Sequence, residues 1–276
     1  MRVLIDFNCE RVGEGLSSSF FWVPETEVVT WISKEKPVMD MFDETKPDIL
    51  ILSAEKLDMP ELQIARSRYP NTKIVSVGEV GGNVLSPDLS IGHTGKPMPF
   101  PCIPFFGGAM VGMIGSPVKE KYLGCDILCI TDYIDVSNSD SIAYLDFVCE
   151  NYNTKIFGQK KVPFPNYLGI LSPAQRSSAL ASASIYLDLD GHSWYDGAWL
   201  GMEVISVSDS SINFFNNIKD LEEKINFCLS RNGSAKQSIK ASVMNSTYFD
   251  LTSDILNFFG LQSQGNFLQQ KKKELV

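Results

Sequence analysis

Short apolar runs alternate with amphipathic stretches through the first part of the chain. Val3–Phe7, Val28–Ile32, Pro47–Leu52 and Thr72–Val77 are brief and rich in β-branched residues or leucine, which predicts strands. Pro37–Glu44 opens with a proline near the first helical position. Pro60–Tyr69 repeats apolar side chains at Leu62, Ala65 and Tyr69. Both predict helices. Gly13-Glu14-Gly15 followed by Ser17-Ser18-Ser19 predicts a small-residue loop ahead of Phe20. Strand and helix in turn argue for a parallel α/β sheet.

The pattern breaks over Ser86–Pro117. Prolines stand at 87, 97, 99, 101, 104 and 117, with phenylalanines and methionines between them, so long regular elements are excluded. Packing of those apolar residues on the sheet is the plain expectation, and an apolar acceptor platform is the functional alternative. Lys119–Gly124 reads as a boundary, giving an amino domain over 1–124 and a carboxyl domain over 125–276. Cys125–Asp132 opens the second domain as a strand. Ser137–Asn151 is a helix with Ser139 or Asp140 as N-cap, Lys155–Gly158 is a strand and turn, and Pro173–Ala183 is a helix capped by Ser172. Ile218–Arg231 is amphipathic, 234–244 and 252–259 are helical, and Lys271–Lys273 reads as a solvated tail.

Ile185–Val207 carries the densest chemistry. Two apolar runs, Ile185–Leu189 and Val204–Val207, bracket Asp188, Asp190, His192 and Asp196, with a short helix over Asp196–Leu200 closed by Gly201. In an open parallel sheet such a loop lies at the carboxyl ends of the strands, where these sheets bind ligands.

Composition narrows the functional classes. The net charge of −9 divides as −4 over residues 1–124 and −5 over 125–276, so neither half announces nucleic-acid binding. No run of eighteen apolar residues exists and the start does not read as a signal peptide, so a cytoplasmic chain without a membrane span is expected. Six scattered cysteines lack paired zinc spacing and read as reduced thiols.

Ile185–Val207 resembles the donor-sugar signature of GT-B glycosyltransferases: a strand, a pair of spaced acids, a short helix and a Gly-x-Pro-Val-Ile frame. Asp188 and Asp196 stand eight apart, Asp196 precedes Gly201 by five, and Gly201-Met202-Glu203-Val204-Ile205 follows the frame with Glu203 in place of proline. The order of motifs from 125 to 210 is similar as well. The resemblance implies two Rossmann-like α/β domains facing across a cleft and transfer of a sugar from a nucleotide sugar, expected as a UDP-sugar. No tightly bound cofactor or metal is implied, although Asp188-Leu189-Asp190 also has the form of a metal-binding Asp-x-Asp.

On this resemblance Asp196 holds ribose or sugar hydroxyls through charge-assisted hydrogen bonds. Gly197 lies beside it, and Asp188 is either its partner or a strand residue with Asp190 or His192 nearer the sugar. Lys160 and Arg176 substitute for the family's phosphate-binding cations, and Gly15 and Ser17 fall where the family places a glycine loop. Glu79, His93 and Asp6 are the candidate catalytic bases. The small phage enzymes of this class suggest a hydroxymethylated pyrimidine in duplex DNA as acceptor. The enzyme would then act in the host cytoplasm and meet phosphates through Arg66, Arg68, Lys73 and Lys96. The rival readings are a non-catalytic nucleotide-binding module and a nucleotide-sugar epimerase.

Overall fold

The computed structural model describes the chain except for residues 7–8, 33–34, 79–84, 93–99, 106, 115–116, 212, 232–235 and 276. Two compact units are present, one of residues 1–106 with 248–274, the other of residues 107–247.

The first unit runs β1 (Arg2–Asp6), α1 (Glu10–Phe20), β2 (Glu27–Trp31), α2 (Val38–Thr45), β3 (Ile49–Ser53), α3 (Pro60–Arg68), β4 (Lys73–Val77), β5 (Leu89–Ile91) and β6 (Cys102–Ile103). Its strands pair in the order β2-β1-β3-β4-β5-β6, all parallel. The Ile49–Leu52 run is buried throughout, as a central strand covered on both faces requires. Leu4, Leu50 and Ile74 from the sheet pack against Phe42 of α2 and Leu62 and Ala65 of α3.

The second unit runs α4 (Val111–Ile114), β7 (Cys125–Ile130), α5 (Ser139–Asn151), β8 (Thr154–Phe157), α6 (Pro173–Ser182), β9 (Ala183–Asp188), α7 (Trp194–Trp199), β10 (Glu203–Ser206), α8 (Ile218–Ser230) and α9 (Lys236–Ser242). Its parallel sheet has the order β10-β9-β7-β8. Alternation along β7 divides the core: Leu128 and Ile130 face α6 and α7, while Ile127 and Cys129 face α5 and α8. The chain ends with α10 (Tyr248–Phe258) and α11 (Gln262–Glu274), which belong to the first unit.

Three local expectations are corrected. Gly13–Ser19 is the interior of α1, not a loop. A Cβ on Gly15 would lie 2.5 Å from the Tyr248 ring, so the small residues serve close packing of α10 on α1. Asn138, not Ser139 or Asp140, caps α5, accepting from the Asp140 N–H. Lys272 is not solvated: it sits on α11 with its Nζ 2.7 Å from both oxygens of Asp250. Of the phenylalanines and methionines of Ser86–Pro117, Met98 and Phe106 lie outside the described residues, and Phe105 meets α10 rather than the sheet. Ala109, Met110, Val111 and Ile114 are buried, and Phe105 lies 5.1 Å from the Tyr248 ring centre.

Candidate functional site

Each sheet reverses its strand order once. In the first unit the chain goes from β1 to β2 on one side and returns to β3 on the other. In the second it goes from β7 to β8 and returns to β9. The crevice outside the carboxyl ends at such a reversal is where open α/β sheets bind ligands. In the second unit it lies between Thr131-Asp132 and Asp188–Ser193.

β9 carries Ile185, Tyr186, Leu187 and Asp188 buried to its end. Asp188 Oδ1 accepts from Ser193 Oγ at 2.8 Å and from the Asp190 N–H at 3.2 Å, and Oδ2 accepts from Ser206 Oγ at 2.6 Å. Asp190 Oδ1 accepts the N–H groups of His192 and Ser193 at 2.6 and 2.7 Å. Ser193 Oγ also lies 2.7 Å from Asp190 Oδ2 and accepts from the Tyr186 hydroxyl at 2.7 Å. One hydroxyl proton cannot serve both carboxylates at once. Burial, and then the Asp190 charge, push the Asp188 carboxyl well above the ordinary range, so Asp188 takes up a proton far more readily than a surface aspartate. Gly191 at φ +77° makes the turn that glycine adopts most easily. The result is a tied loop that holds the exposed His192 at the sheet edge.

The other flank is a chain of alternating charges. Asp132, just past β7, accepts the Gln159 N–H at 2.7 Å and Arg176 Nη1 at 2.8 Å. Arg176, in the first turn of α6, places Nη2 3.6 Å from Asp196 Oδ2. That Nη2 is buried and donates no hydrogen bond. Asp196 accepts the Met110 N–H at 2.9 Å. Thr131 Oγ1 donates to the Lys160 carbonyl at 2.6 Å, and Lys160 Nζ donates to the Ile134 carbonyl at 2.8 Å. Only glycine fits at 158, where φ is +138° and a Cβ would meet Thr131 Oγ1 at 2.5 Å.

Asp188, Asp190 and His192 therefore share one loop, and Asp196 and Arg176 meet through a second cluster with Asp132. Asp196 is 2% exposed and lies inside α7 rather than capping it. Gly197 is a packing position, since a Cβ there would lie 2.9 Å from the Tyr186 ring. Gly15 and Ser17 lie on α1 of the first unit. Asp6 is wholly buried and 2.5 Å from Lys56 Nζ. Glu79 and His93 lie outside the described residues. Asp132 was missed by sequence reasoning, although an acid closing the apolar run Cys125–Asp132 was a signal that could have found it.

Asp188-Leu189-Asp190 uses its oxygens on serines and backbone N–H groups, and no group of three metal-ligating side chains occurs among the described residues. Two of the four cations assigned to a DNA face are ion-paired. Arg66 forks onto Asp88 at 2.7 and 2.8 Å, and Arg68 lies 3.1 Å from Asp43; Lys96 lies outside the described residues. No helix among the described residues is long and apolar enough to cross a membrane.

No family model matches the chain, and no curated protein resembles it in sequence. Solved structures do resemble it in shape. A Listeria monocytogenes protein described as a UDP-N-acetylglucosamine 2-epimerase superposes with a TM-score of 0.57 at 12% identity, over 94% of this chain and 96% of that one. A glycotransferase of kitacinnamycin reaches 0.49 at 8% identity, over 93% and 98%. The calicheamicin glycosyltransferase CalG4 reaches 0.43 at 9%, over 94% and 98%. The chain thus has the GT-B fold, built of two Rossmann-like α/β units.

Proposed function

We propose that this chain is a glycosyltransferase that binds a nucleotide sugar at the carboxyl edge of the second sheet. The observation that carries the reading is the tied Asp188–Ser193 loop at the strand-order reversal, with Arg176 held by Asp132 just past the neighbouring strand β7. The loop presents the exposed His192 as a hydrogen-bonding group, and Arg176, held between Asp132 and Asp196, is a cation of this edge. Together they suit a diphosphate next to sugar hydroxyls. Asp196 then acts by positioning: it holds Arg176 and the Met110 backbone rather than touching the donor.

Inversion would require a base within reach of the acceptor hydroxyl. Asp6, enclosed beside Lys56, has no open path to one, which leaves His93 and Glu79 as the candidates. With Arg66 and Arg68 paired to acids, two of the cations that would meet duplex DNA are already engaged, so a hydroxyl acceptor is proposed without assigning DNA. The second reading, an epimerase acting on the same donor, draws on the likeness to the Listeria protein.

The test is a thermal-shift screen of nucleoside diphosphates and their sugars, followed by a product assay. A ligand at about 100 times its Kd stabilises by about 2.7 kcal/mol. A shift with a nucleotide sugar and product only with an acceptor present is the expected result. Product without any acceptor favours the epimerase, and no shift with any nucleotide overturns the donor site.

A further inference from the structure

The amino edge of the second sheet holds a cavity of about 390 Å³. It is lined by residues at the start of β9 and β10 and at the ends of three helices, with Lys119 among the lining side chains. Ala181 and Ser182 end α6, Leu200 and Gly201 follow α7, and Cys228 and Leu229 lie in the last turn of α8. Helix carboxyl ends carry partial negative charge from carbonyls without intrahelical partners. None of these three helices has a basic residue in its last turn; Arg231 follows α8 as its C-cap and Lys119 stands on the cavity wall.

Glu203 lines the same cavity and is 6% exposed. Its Oε2 accepts from Cys228 Sγ at 3.7 Å, and its Oε1 has no hydrogen-bond partner. A buried carboxylate left half satisfied is costly, and ordinarily a cation compensates it. Burial and then the Glu203 charge push the Cys228 thiol up to about 12, so the thiol supplies a proton to this carboxylate but no negative charge of its own. Glu203 also occupies the position where the GT-B frame of the sequence has proline, so the acid belongs to this chain rather than to that pattern.

We propose that this cavity binds a small organic cation, an ammonium-bearing polar molecule of amino-sugar size, whose ammonium is held by Glu203 and the three helix ends. A lone buried carboxylate, its Oε2 already accepting from Cys228, suits a point donor better than the two-pronged guanidinium. The cavity is far larger than a metal ion needs, and no group of three metal-ligating side chains occurs among the described residues. Ser184 supplies an exposed hydroxyl on the wall, while that of Ser182 is engaged by the Ser178 carbonyl and the Glu120 N–H. The cavity lies at the end of the sheet opposite the donor edge, so the proposal is independent of the donor reading.

The test is titration calorimetry of the full chain with glucosamine at pH 6, where its amine is protonated, against glucose. Wild type binds glucosamine and not glucose, and saturating uridine diphosphate leaves that binding unchanged. Glu203→Gln keeps the shape and weakens binding at least about tenfold, through loss of a charge-assisted bond. Ser184→Trp, which fills the exposed mouth without touching the carboxylate, abolishes it and serves should the first variant not fold. No heat with wild type, equal affinity for glucose, or affinity retained in both variants overturns the proposal.

Discussion

The two units solve one problem in opposite ways. Each ends a strand at its order reversal with a fully buried aspartate, Asp6 on β1 and Asp188 on β9. Asp6 is met by a cation: Lys56, from the turn after β3, lies 2.5 Å away and also sits 5.1 Å from the Trp31 ring centre. Asp188 is met by hydroxyls and a second acid, with Ser193, Ser206 and the neighbouring Asp190. The first arrangement is an internal ion pair. The second is a proton-sharing knot that stiffens a loop and keeps His192 outward. A buried acid at a strand end is thus not itself a site; what neutralises it decides whether the neighbouring loop is presented.

The largest expected effect breaks the first arrangement. Lys56→Met breaks the buried ion pair with Asp6 by removing one partner, which should cost ~3–5 kcal/mol in denaturant unfolding. The double variant Asp6→Leu with Lys56→Met should recover much of that loss. In the second unit, Asp188→Ala strands Ser206 and Ser193 and should cost ~1–3 kcal/mol, whereas Asp188→Asn should cost less because the site favours an uncharged group.

The Asp188 shift has a sign that pH titration checks. Its native pKa is raised, so the native state binds more protons than the unfolded chain above the ordinary carboxylate range. That stability is complete below the unfolded value, about 3.9, and is lost as pH rises through the native one. Subtracting the pH–stability curve of Asp188→Asn from that of wild type should isolate this falling contribution. A difference curve that rises with pH would contradict the proton-sharing account. Gly15→Ala, pressed against Tyr248 in the first unit, should cost ~1–3 kcal/mol by overpacking. The smallest expected effect is Asp196→Asn, which keeps an acceptor for the Met110 N–H but removes the charge 3.6 Å from Arg176; with Asp132 still pairing the guanidinium it should cost ~1 kcal/mol.

Much of the framework was legible because β-branched runs between amphipathic stretches dictate parallel α/β structure, and the runs at Ile49, Cys125 and Ile185 became strands. The α1 helix was not legible. Gly13, Gly15 and three serines have poor helix propensity, and tertiary packing on Tyr248 overrides it. The site was half legible. Spacing singled out Asp188 and Asp196, and the family resemblance added Asp190, His192 and Arg176, but no periodicity says that Asp132 joins Arg176 across 44 residues. Nor does it say that Asp196 faces the Met110 backbone. Lys56 pairing with Asp6, 50 residues away, is invisible for the same reason.

The central claim is that the carboxyl edge of the second sheet, not that of the first, presents its loop to the nucleotide. Amide hydrogen exchange with and without saturating uridine diphosphate tests it most directly. The account predicts added protection over Asp190–Ser193 and Thr131–Ile134, with the amides around Lys56 unchanged. Protection confined to the Asp6 and Lys56 edge, or none at Asp190–Ser193 under saturation, would contradict it.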